Sequence, residues 1–325
     1  MKLPRRAFLH LAAGAATLPL ATSVACALDY PTRPVHLVTP YPAGGPADIH
    51  ARLIGQALSE RLGKPFVIDN RPGANGNIGT EVVVNAPGDG YTILLIGAFN
   101  TFNTALYENL NFVFIRDIAP VASISRNPFV MVVSPSVPAG TVPDFIAYAR
   151  ANPGKLNMGS GGIGSPHHVA GELFMAMTGV NMVHVPFRGD APLISALLNG
   201  QVQVSFPPIT VSLEYIRGGK LRALAVTTAT RQDVLPGIPT VAEFVPGYEA
   251  SGWLGIGAPK STPTAIVDRL NGEINAVLTD PEIRAKLASF GDTVLALSPA
   301  EFAELIAKDT DKWGKVIRAA NIKPE

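Results

Sequence analysis

The chain has very little cysteine and no excess of charge of either sign. Its 325 residues include one cysteine, Cys26, so neither an internal disulfide nor a multi-thiolate metal site can form. Lysine and arginine number 26 against 25 aspartates and glutamates, which excludes the basic surface of nucleic-acid-binding proteins. Charged residues make up 16 % and hydrophobic residues 47 %, so the composition predicts a core-rich globular protein, not a disordered one.

Motifs for nucleophilic catalysis are missing as well. The sequence contains no G-x-S-x-G elbow and no recognisable Ser/His/acid set. His167, His168 and Glu172 suggest a metal site, but adjacent histidines point in different directions on a helix and no further ligand cluster follows. We therefore interpret the histidines as hydrogen-bonded residues of a first helical turn, and predict no metal, no cofactor and no catalytic residue.

The first 27 residues have the pattern of an export signal. A twin-arginine pair, Arg5 and Arg6, precedes an apolar run over 11–21. The run is shorter than the roughly 20 residues of a membrane anchor, and small residues around Cys26 supply a cleavage site. We predict a twin-arginine signal peptide over 1–27 and a periplasmic mature protein, with lipidation at Cys26 as the alternative.

The stretch from Val38 to Asp48 joins a short apolar strand to an amphipathic helix. Gly44 and Gly45 lack a Cβ atom and permit positive φ, so backbone N–H groups can turn toward one point. The helix that follows has first N–H groups without an internal partner, and such an N-terminus favours an anion. An ordinary turn between a strand and a helix is the alternative interpretation.

Beyond this unit the sequence alternates between apolar strands and helices. We predict strands at 66–68, 92–97, 129–134, 156–158, 182–185, 202–206, 221–227, 253–258 and 293–297, and helices at 78–85, 142–152, 166–178, 191–199, 211–217, 264–289 (two) and 299–319. Residues 98–103 are predicted to form a loop. In parallel sheets, ligands sit beyond the carboxyl ends of the strands.

Two crossings of the chain divide the protein into two units. We predict that segments near 123–129 and 224–230 form a two-stranded hinge. Residues 28–126 and 228–325 then form a discontinuous lobe 1, and residues 127–227 form lobe 2.

A glycine-rich loop lies between a predicted strand and helix of lobe 2. Gly159 to Gly164 matches G-x-G-x-x-G, and Asp190 lies 26 positions further on, so an exported NAD(P)- or flavin-dependent oxidoreductase is an alternative function. Ser165 and Pro166, however, have the N-cap and N1 signature of a helix start. The helix therefore begins after all the glycines, and the loop suits a small carboxylate better than a pyrophosphate.

These loops, in this order, resemble those of the Bug receptors, the extracytoplasmic solute-binding proteins of tripartite tricarboxylate transporters. The similar segments span nearly all of the mature chain: Pro34–Asp48, Asn70–Gly76, Asp89–Thr92, Gly159–His167, Val185–Gly189, Gly219–Thr227, Pro236–Glu243 and Ala258–Pro259.

The resemblance implies a periplasmic-binding-protein-like (type II) α/β fold of two lobes joined by a two-strand hinge. It implies a non-enzymatic receptor that closes on a small mono- or dicarboxylate and delivers it to the membrane subunits of the transporter. We expect a monomer that binds no nucleic acid. An orphan receptor that feeds a sensor is the alternative.

By position, the resemblance assigns ligand contacts to loops of both lobes. The first-lobe contacts are Tyr41, Ala43, Gly44, Gly45, Asn75, Phe99, Asn100, Thr101 and Phe102. The second-lobe contacts are Ser160, Gly161, Ser165, Phe187, Arg188, Ala191, Ser205 and Phe206. Arg188 can meet a carboxylate bidentately, or pair with Asp190.

The sequence departs from the family at positions that bear on the ligand. The family often has histidine where this chain has Phe102, and commonly aspartate where it has Gln203 and Pro207. Without those acids an amino-acid ligand, whose ammonium group needs a carboxylate partner, is disfavoured. We hypothesise that Phe99, Phe102 and Phe206 instead flank an aromatic or extended apolar acid.

Overall fold

The structure is a computed structural model that describes residues 29–107 and 109–324. The predicted signal peptide and Cys26 lie outside the described residues. Within the described ranges, no helix combines the length and the apolar character that a membrane crossing requires.

Strands and helices alternate along most of the described chain. The strands are β1 (Val35–Thr39), β2 (Phe66–Asn70), β3 (Thr92–Gly97), β4 (Ile118–Pro128), β5 (Val130–Val133), β6 (Asn157–Ser160), β7 (Val183–Pro186), β8 (Val204–Ser205), β9 (Arg222–Val226), β10 (Ser251–Pro259) and β11 (Thr293–Val294). The helices are α1 (Pro46–Leu62), α2 (Asn77–Val84), α3 (Ala98–Leu106), α4 (Phe114–Asp117), α5 (Val142–Ala151), α6 (Pro166–Thr178), α7 (Asp190–Leu198), α8 (Ile209–Arg217), α9 (Thr264–Val277), α10 (Pro281–Ser289) and α11 (Pro299–Ala319). Short 3₁₀ turns occupy Ala74–Gly76 and Val241–Glu243.

The strands form two mixed sheets. The first has the order β11-β4-β10-β3-β1-β2, with β1 parallel to β2 and β3 and with β10 antiparallel to β3 and β4. The second has the order β7-β6-β8-β5-β9, with β6 parallel to β7 and β8 and with β5 antiparallel to β8 and β9. Each sheet is the centre of one lobe, which confirms the predicted two-lobed α/β class.

The chain passes between the sheets at two places that lie side by side. Strand β4 continues into β5 through Phe129, and the return path begins at Thr227. The Thr227 amide donates to the Phe129 carbonyl at 3.0 Å, and the Ala250 amide donates to the Thr227 carbonyl at 2.9 Å. The crossing is therefore a hydrogen-bonded unit, and Phe129 and Thr227 both fall within the predicted hinge segments.

Residues 228–250 pack on the second lobe. The Val226 amide donates to the Pro239 carbonyl at 2.8 Å, and the Tyr248 hydroxyl donates to the Ala170 carbonyl of α6 at 3.0 Å. Leu235 is buried in the same apolar cluster as β5 and α7. These contacts extend lobe 2 to Ala250, beyond the boundary at 227 that the sequence predicted.

The two lobes touch each other at several points along the cleft between them. The Asn75 side-chain amide of lobe 1 donates to the Gly164 carbonyl of lobe 2 at 3.4 Å. A Cβ atom added at Gly164 would lie 2.4 Å from Leu106 Cδ1 in α3, so these two residues are in direct contact. The Thr210 hydroxyl of α8 donates to the Phe290 carbonyl at 2.6 Å. The structure therefore has the lobes closed against one another at these positions.

Candidate functional site

Helices begin where strands end in both lobes. Helices α1, α2 and α3 follow the carboxyl ends of β1, β2 and β3, and helices α6, α7 and α8 follow those of β6, β7 and β8. The contact between Asn75 and Gly164 shows that the two sets of loops face each other. Because the first N–H groups of a helix lack intrahelical partners and carry partial positive charge, the cleft is flanked by hydrogen-bond donors on both sides.

Three asparagines and one tyrosine form the wall of the cleft in lobe 1. The Tyr41 hydroxyl donates to Asn75 Oδ1 at 3.0 Å, and Asn75 Nδ2 donates to Asn103 Oδ1 at 2.9 Å. Asn103 Nδ2 in turn donates to the Asn75 carbonyl at 2.9 Å and to Asn77 Oδ1 at 2.8 Å. Asn75 has φ of +50°, a left-handed conformation that asparagine tolerates better than most residues. This network fixes the orientation of each amide.

Tyr41 remains a hydrogen-bond donor at physiological pH. Its ring packs edge-on against Phe99, with 4.8 Å between the ring centroids. Burial raises the pKa of the Tyr41 phenol well above its usual value, and nearby Tyr107 and Asp190 add to the effect. Asp190 belongs to lobe 2, so the two lobes also interact electrostatically at this residue.

The first glycine loop is held by a buried carboxylate. The Gly44 amide, at φ of +80°, donates to Asp48 Oδ2 at 2.9 Å. Asp48 also accepts from Arg52 Nε at 2.8 Å and from Asn70 Nδ2 at 3.0 Å. Burial alone would raise the pKa of Asp48, but the hydrogen bonds from Arg52, Gly44 and Asn70 outweigh it and hold that pKa below its usual value. The Gly44 amide therefore serves the loop itself.

A second buried carboxylate connects helix α1 to the hinge strand. Asp292 Oδ2 lies 2.5 Å from His50 Nε2 and accepts from Ser125 Oγ at 2.9 Å and Asn127 Nδ2 at 2.5 Å. Burial lowers the pKa of His50, but the contact with Asp292 and the Pro46 carbonyl outweigh burial, so that the pKa lies above its usual value. The first glycine loop is thus anchored to the segment that crosses between the lobes.

Two imidazoles hold the second glycine loop. The Gly161 amide donates to His167 Nδ1 at 3.0 Å, and the Gly164 amide donates to His168 Nδ1 at 3.1 Å. Both histidines are 5 % exposed. These contacts confirm that the histidines are hydrogen-bonded residues of the first helical turn. Within 29–107 and 109–324, no three His, Cys, Asp or Glu side chains are grouped so as to hold a metal ion.

Ser160 and His184 also stabilise the second glycine loop. Ser160 Oγ donates to the Gly162 carbonyl at 2.9 Å and accepts from the Gly162 amide at 3.2 Å, and His184 Nε2 is 2.6 Å away. The ring of His184 stacks on that of His168 with 3.5 Å between centroids. Burial, followed by the proximity of His168, lowers the pKa of His184 to about 3.

Three buried polar side-chain atoms at the cleft loops have no partner among the described residues. They are Thr39 Oγ1 at the end of β1, Asn77 Nδ2 at the start of α2, and Ser165 Oγ at the N-cap of α6. Buried polar groups are nearly always hydrogen-bonded, so we take these three atoms as candidate partners of a polar ligand. Ser165 is among the contact residues that the sequence predicts, whereas Thr39 and Asn77 are not.

The signal for Thr39 was its place directly after a buried strand, beside the first glycine loop. Asn77 was not recognised as a candidate contact because an asparagine at this position is also explained as a helix cap. In the structure it is the first residue of α2, and Gly76 occupies the N-cap position.

The predicted contact residues differ in their solvent exposure. Partly buried residues on the cleft loops are Tyr41, Gly45, Asn75, Gly161, Ser165 and Phe187, and exposed residues are Ala43, Gly44, Arg188 and Ala191. Buried residues are Phe99, Asn100, Thr101, Phe102, Ser160, Ser205 and Phe206. The structure therefore brings one part of the set to the cleft surface and places another part beneath it.

The buried hydroxyl and amide groups of that set bond to their own or neighbouring segments of the same lobe. Asn100 Oδ1 accepts from the Gly97 amide at 3.0 Å, and the Thr101 hydroxyl donates to the Ala98 carbonyl at 2.6 Å. The Ser205 hydroxyl donates to the Gly159 carbonyl at 2.8 Å. These side chains therefore stabilise the backbone beneath the cleft surface.

The hypothesis of three phenylalanines around the ligand needs correction. Phe102 packs edge-on against Trp313 at 5.4 Å, and Phe206 packs against Phe174 at 5.5 Å, so both belong to apolar cores. The predicted loop at 98–103 is the start of helix α3, and its second turn faces α11. Phe206 directly follows β8, and successive residues of an extended chain point to opposite sides. Only Phe99 remains beside the cleft loops.

Two mixed α/β lobes, joined at a hydrogen-bonded crossing and with helix N-termini on both sides of the cleft, define a type II periplasmic-binding-protein-like receptor. The chain belongs to the tripartite tricarboxylate transporter family receptors, whose sequence profile matches residues 50–322. This confirms the resemblance seen in the sequence. Because the members of this family are solute-binding receptors and not enzymes, the oxidoreductase alternative is wrong.

Similar proteins include a sequence relative and two solved structures. Protein BugT of Bordetella pertussis is 33 % identical over 297 residues, which cover 90 % of this chain and 91 % of BugT. The structure of R. palustris Rpa4515 with adipate is 39 % identical, has a TM-score of 0.84, and is aligned over 91 % of this chain and 100 % of that chain. The structure of MatC from Rhodopseudomonas palustris with bound malate is 30 % identical and has a TM-score of 0.80. The alignment covers 89 % of this chain and 100 % of MatC.

Proposed function

We propose that this protein is an exported, monomeric receptor that captures a small organic dicarboxylate by closure of its lobes. It then delivers the ligand to the membrane subunits of a tripartite tricarboxylate transporter. The observation that carries the proposal is that loops of both lobes, which meet at the contact between Asn75 and Gly164, carry buried polar atoms without a partner: Thr39 Oγ1 and Asn77 Nδ2 in lobe 1, and Ser165 Oγ in lobe 2. The adipate and malate in similar structures support the ligand class.

A carboxylate can pair with all three of these groups, since each can donate a hydrogen bond. Hydrogen bonds to a charged group contribute about 1.5–3 kcal/mol each. Micromolar affinity requires about 8 kcal/mol in total. Three such bonds, together with amides at the helix N-termini and burial of the ligand's methylene groups, must also offset the loss of translational and rotational freedom on association.

The second lobe favours a diacid over an amino acid. Gln203, at a position where related receptors often carry aspartate, bonds to the backbone: its Oε1 accepts from the Asn157 amide at 2.8 Å and its Nε2 donates to the Gly200 carbonyl at 2.9 Å. Asp190 is the acid at the start of α7, and its Oδ1 lies 3.4 Å from His167 Nε2. Its negative charge is thus balanced by an imidazole N–H and by the helix N-terminus.

The test is isothermal titration calorimetry at pH 7.5 with straight-chain diacids of three to eight carbons, malate, benzoate, aspartate and glutamate. We expect at least one diacid to bind with micromolar affinity, and the two amino acids to bind more weakly by at least tenfold. Failure of every carboxylate, or tight binding of aspartate or glutamate with all diacids inert, contradicts the proposal.

A matched pair of helix-cap variants separates binding from stability. Ser165 caps α6 without a side-chain hydrogen bond, whereas Thr141 caps α5 by accepting from the Asp144 amide at 3.2 Å. We expect Ser165→Ala to weaken diacid binding about tenfold with little change in Tm. Thr141→Ala should do the reverse, because loss of a cap costs about 1 kcal/mol of stability and its position is remote from the cleft. Equal affinities for the two variants would remove Ser165 from the site.

Export, oligomeric state and delivery have separate tests. Replacing both Arg5 and Arg6 with lysine should leave the protein in the cytoplasmic fraction if the twin-arginine route is used.

Sedimentation analysis of the mature chain should give one monomeric species. Deletion of the receptor should abolish uptake of the labelled diacid; unchanged uptake would favour a sensor role.

A further inference from the structure

We propose that His167 and His168 are positioning residues of the ligand site: as neutral imidazoles protonated on Nε2, they accept two amides of the second glycine loop and fix its shape. The effect on affinity rests on the proposed function, whereas the tautomers do not. No step of ligand binding itself requires these side chains to touch the ligand.

The protonation states follow from the donors that face each ring. A backbone amide can only donate, so Nδ1 of each histidine must be an acceptor, and a neutral ring then carries its proton on Nε2. On that side acids are present: Asp190 Oδ1 is 3.4 Å from His167 Nε2, and Glu172 Oε1 is 3.3 Å from His168 Nε2. Only the Nε2–H tautomer therefore gives both ring nitrogens of each imidazole a hydrogen-bond partner.

His168 connects the loop to the opposite lobe. Its Nδ1 holds the amide of Gly164, and Gly164 is the residue that contacts Leu106 and accepts from Asn75 across the cleft. Gly164 has φ of +70°, so the hydrogen bond fixes a backbone turn that glycine adopts easily and that most other residues adopt only with strain. Loss of the acceptor therefore releases the part of lobe 2 on which the closed arrangement depends.

His167 connects the loop to the hinge crossing. Its ring is edge-on to that of Phe129, with 6.4 Å between centroids, and its Nδ1 holds Gly161. A Cβ atom added at Gly161 would lie 3.0 Å from His167 and 3.2 Å from Asp190, so the three residues are tightly packed. The loop, the start of α7 and the hinge thus share this one imidazole.

Acid should weaken the site through these contacts. A second proton on either ring occupies Nδ1, where it meets an amide N–H and finds no acceptor. The charged and titratable groups around the rings are Asp190 beside His167, and Glu172 and His184 beside His168; Tyr41 faces Asp190 from lobe 1. The two acids lie on the Nε2 side, which bears a proton in both states, so they do not replace the lost acceptor.

The first measurement reads the tautomers without any ligand. Long-range ¹H–¹⁵N NMR of the imidazoles at pH 7.5 should show Nε2–H and unprotonated Nδ1 for both residues. An Nδ1–H tautomer or a fully protonated ring for both overturns the proposal, whatever the protein binds.

The second measurement uses adipate, or the diacid of the three-to-eight-carbon series that the unmodified protein binds, in calorimetry at pH 7.5 and 5.5. Asparagine places an amide oxygen near the position of Nδ1 and cannot be protonated, whereas leucine has no acceptor. We expect the double variant His167→Asn/His168→Asn to retain affinity within about threefold and, with affinities at both pH values expressed per concentration of the dianion, to lose most of the weakening at pH 5.5. His168→Leu should bind at least tenfold more weakly at both pH values.

Equal losses for the asparagine and leucine variants, or full acid weakening in the double asparagine variant, would show that the histidines only fill space. If His168→Leu does not fold, the pH profile of the double asparagine variant still decides. If the unmodified protein binds none of the acids, the proposed function fails while the NMR result continues to test the tautomers.

Discussion

The two glycine loops repeat one local arrangement with different side chains. In lobe 1 the order is Gly44-Gly45-Pro46-Ala47-Asp48, and in lobe 2 it is Gly164-Ser165-Pro166-His167-His168. In each, a glycine of positive φ donates its amide to the side chain four residues later, at 2.9 Å and 3.1 Å, and proline is the first residue of the helix.

The acceptor is an ionised carboxylate in lobe 1 and a neutral imidazole in lobe 2. Asp48 at the third position of α1 partly neutralises the positive end of its own helix, whereas His168 leaves that of α6 unopposed. One backbone geometry can therefore be held by either acceptor. Because its acceptor is an imidazole, the lobe 2 loop should attract an anion more strongly and be more sensitive to acid.

Removing the carboxylate should produce the largest effect. Asp48→Ala removes the acceptor that the Gly44 amide and the Asn70 amide share, and a hydrogen bond to a charged group contributes about 1.5–3 kcal/mol. We expect a loss of about 3 kcal/mol in urea unfolding and at least 100-fold weaker diacid binding. Asp48→Asn, which keeps an acceptor oxygen, should lose less than half as much stability; the same loss in both variants would show that the charge, not the acceptor, holds the loop.

The second prediction compares the two glycines directly. A Cβ atom at Gly164 would lie 2.4 Å from Leu106, whereas one at Gly44 would have no neighbour within 4 Å. We expect Gly164→Ala to weaken diacid binding at least tenfold, and Leu106→Ala to restore part of it in the double variant. Gly44→Ala should mainly reduce stability, by about 1 kcal/mol, because alanine is strained at positive φ. Similar affinities for the two single variants would show that the contact across the cleft does not control closure.

The sequence predicted the helices with strong end signals and missed the elements that depend on tertiary contacts. Helices α6 and α11 match their predicted bounds of 166–178 and 299–319, and each has serine at the N-cap followed by proline. The start of helix α3 was predicted as a loop because it directly follows a buried strand and mixes aromatic rings with hydrogen-bonding groups. In the structure, α3 is supported by the bond from the Gly97 amide to Asn100 and by packing on α11.

The candidate site could be predicted only to the level of its loops. The glycines and the capping serine mark where the chain turns toward the cleft, and that much can be read from local pattern. Whether an amide faces the cleft or a neighbouring side chain depends on contacts such as Gly44 with Asp48, which local pattern leaves open. The same holds for Phe102, whose partner Trp313 is more than 200 residues away in the sequence.

A smaller effect concerns the pH dependence of stability, which should differ between the two lobes. The pKa of His184 is about 3 in the folded protein and about 6.5 when unfolded, so between these values the unfolded chain binds one more proton. Stability therefore falls as pH falls from 6.5, with a slope below the ~1.4 kcal/mol per pH unit of a full proton because His184 is partly exposed. Asp48, with a lowered pKa, keeps its contribution until the pH approaches the unfolded value of about 3.9.

Hydrogen exchange at pH 7.5 and 5, corrected for the intrinsic rate, measures this difference locally. Protection should decrease for a peptide covering 160–168 and stay constant for one covering 41–48. His184→Gln should reduce the decrease. A parallel loss of protection in both peptides would mean that acid acts on the whole molecule and not on the imidazole-held loop.

The smallest expected effect concerns the exposed arginine of each lobe. Arg52 donates to Asp48 at 2.8 Å, whereas Arg188 lies exposed in the loop before α7, where the sequence suggested a bidentate contact with a carboxylate. At that exposure we expect Arg188→Gln to weaken diacid binding only about two- to threefold, with the difference abolished at high salt, because exposed charge pairs are strongly screened. Arg52→Gln should leave affinity unchanged. A loss above tenfold for Arg188→Gln that persists in 0.5 M NaCl would instead require Arg188 to enter the closed cleft with the ligand, and would make a side-chain cation, not the amides of the glycine loops, the main anion-binding group of lobe 2.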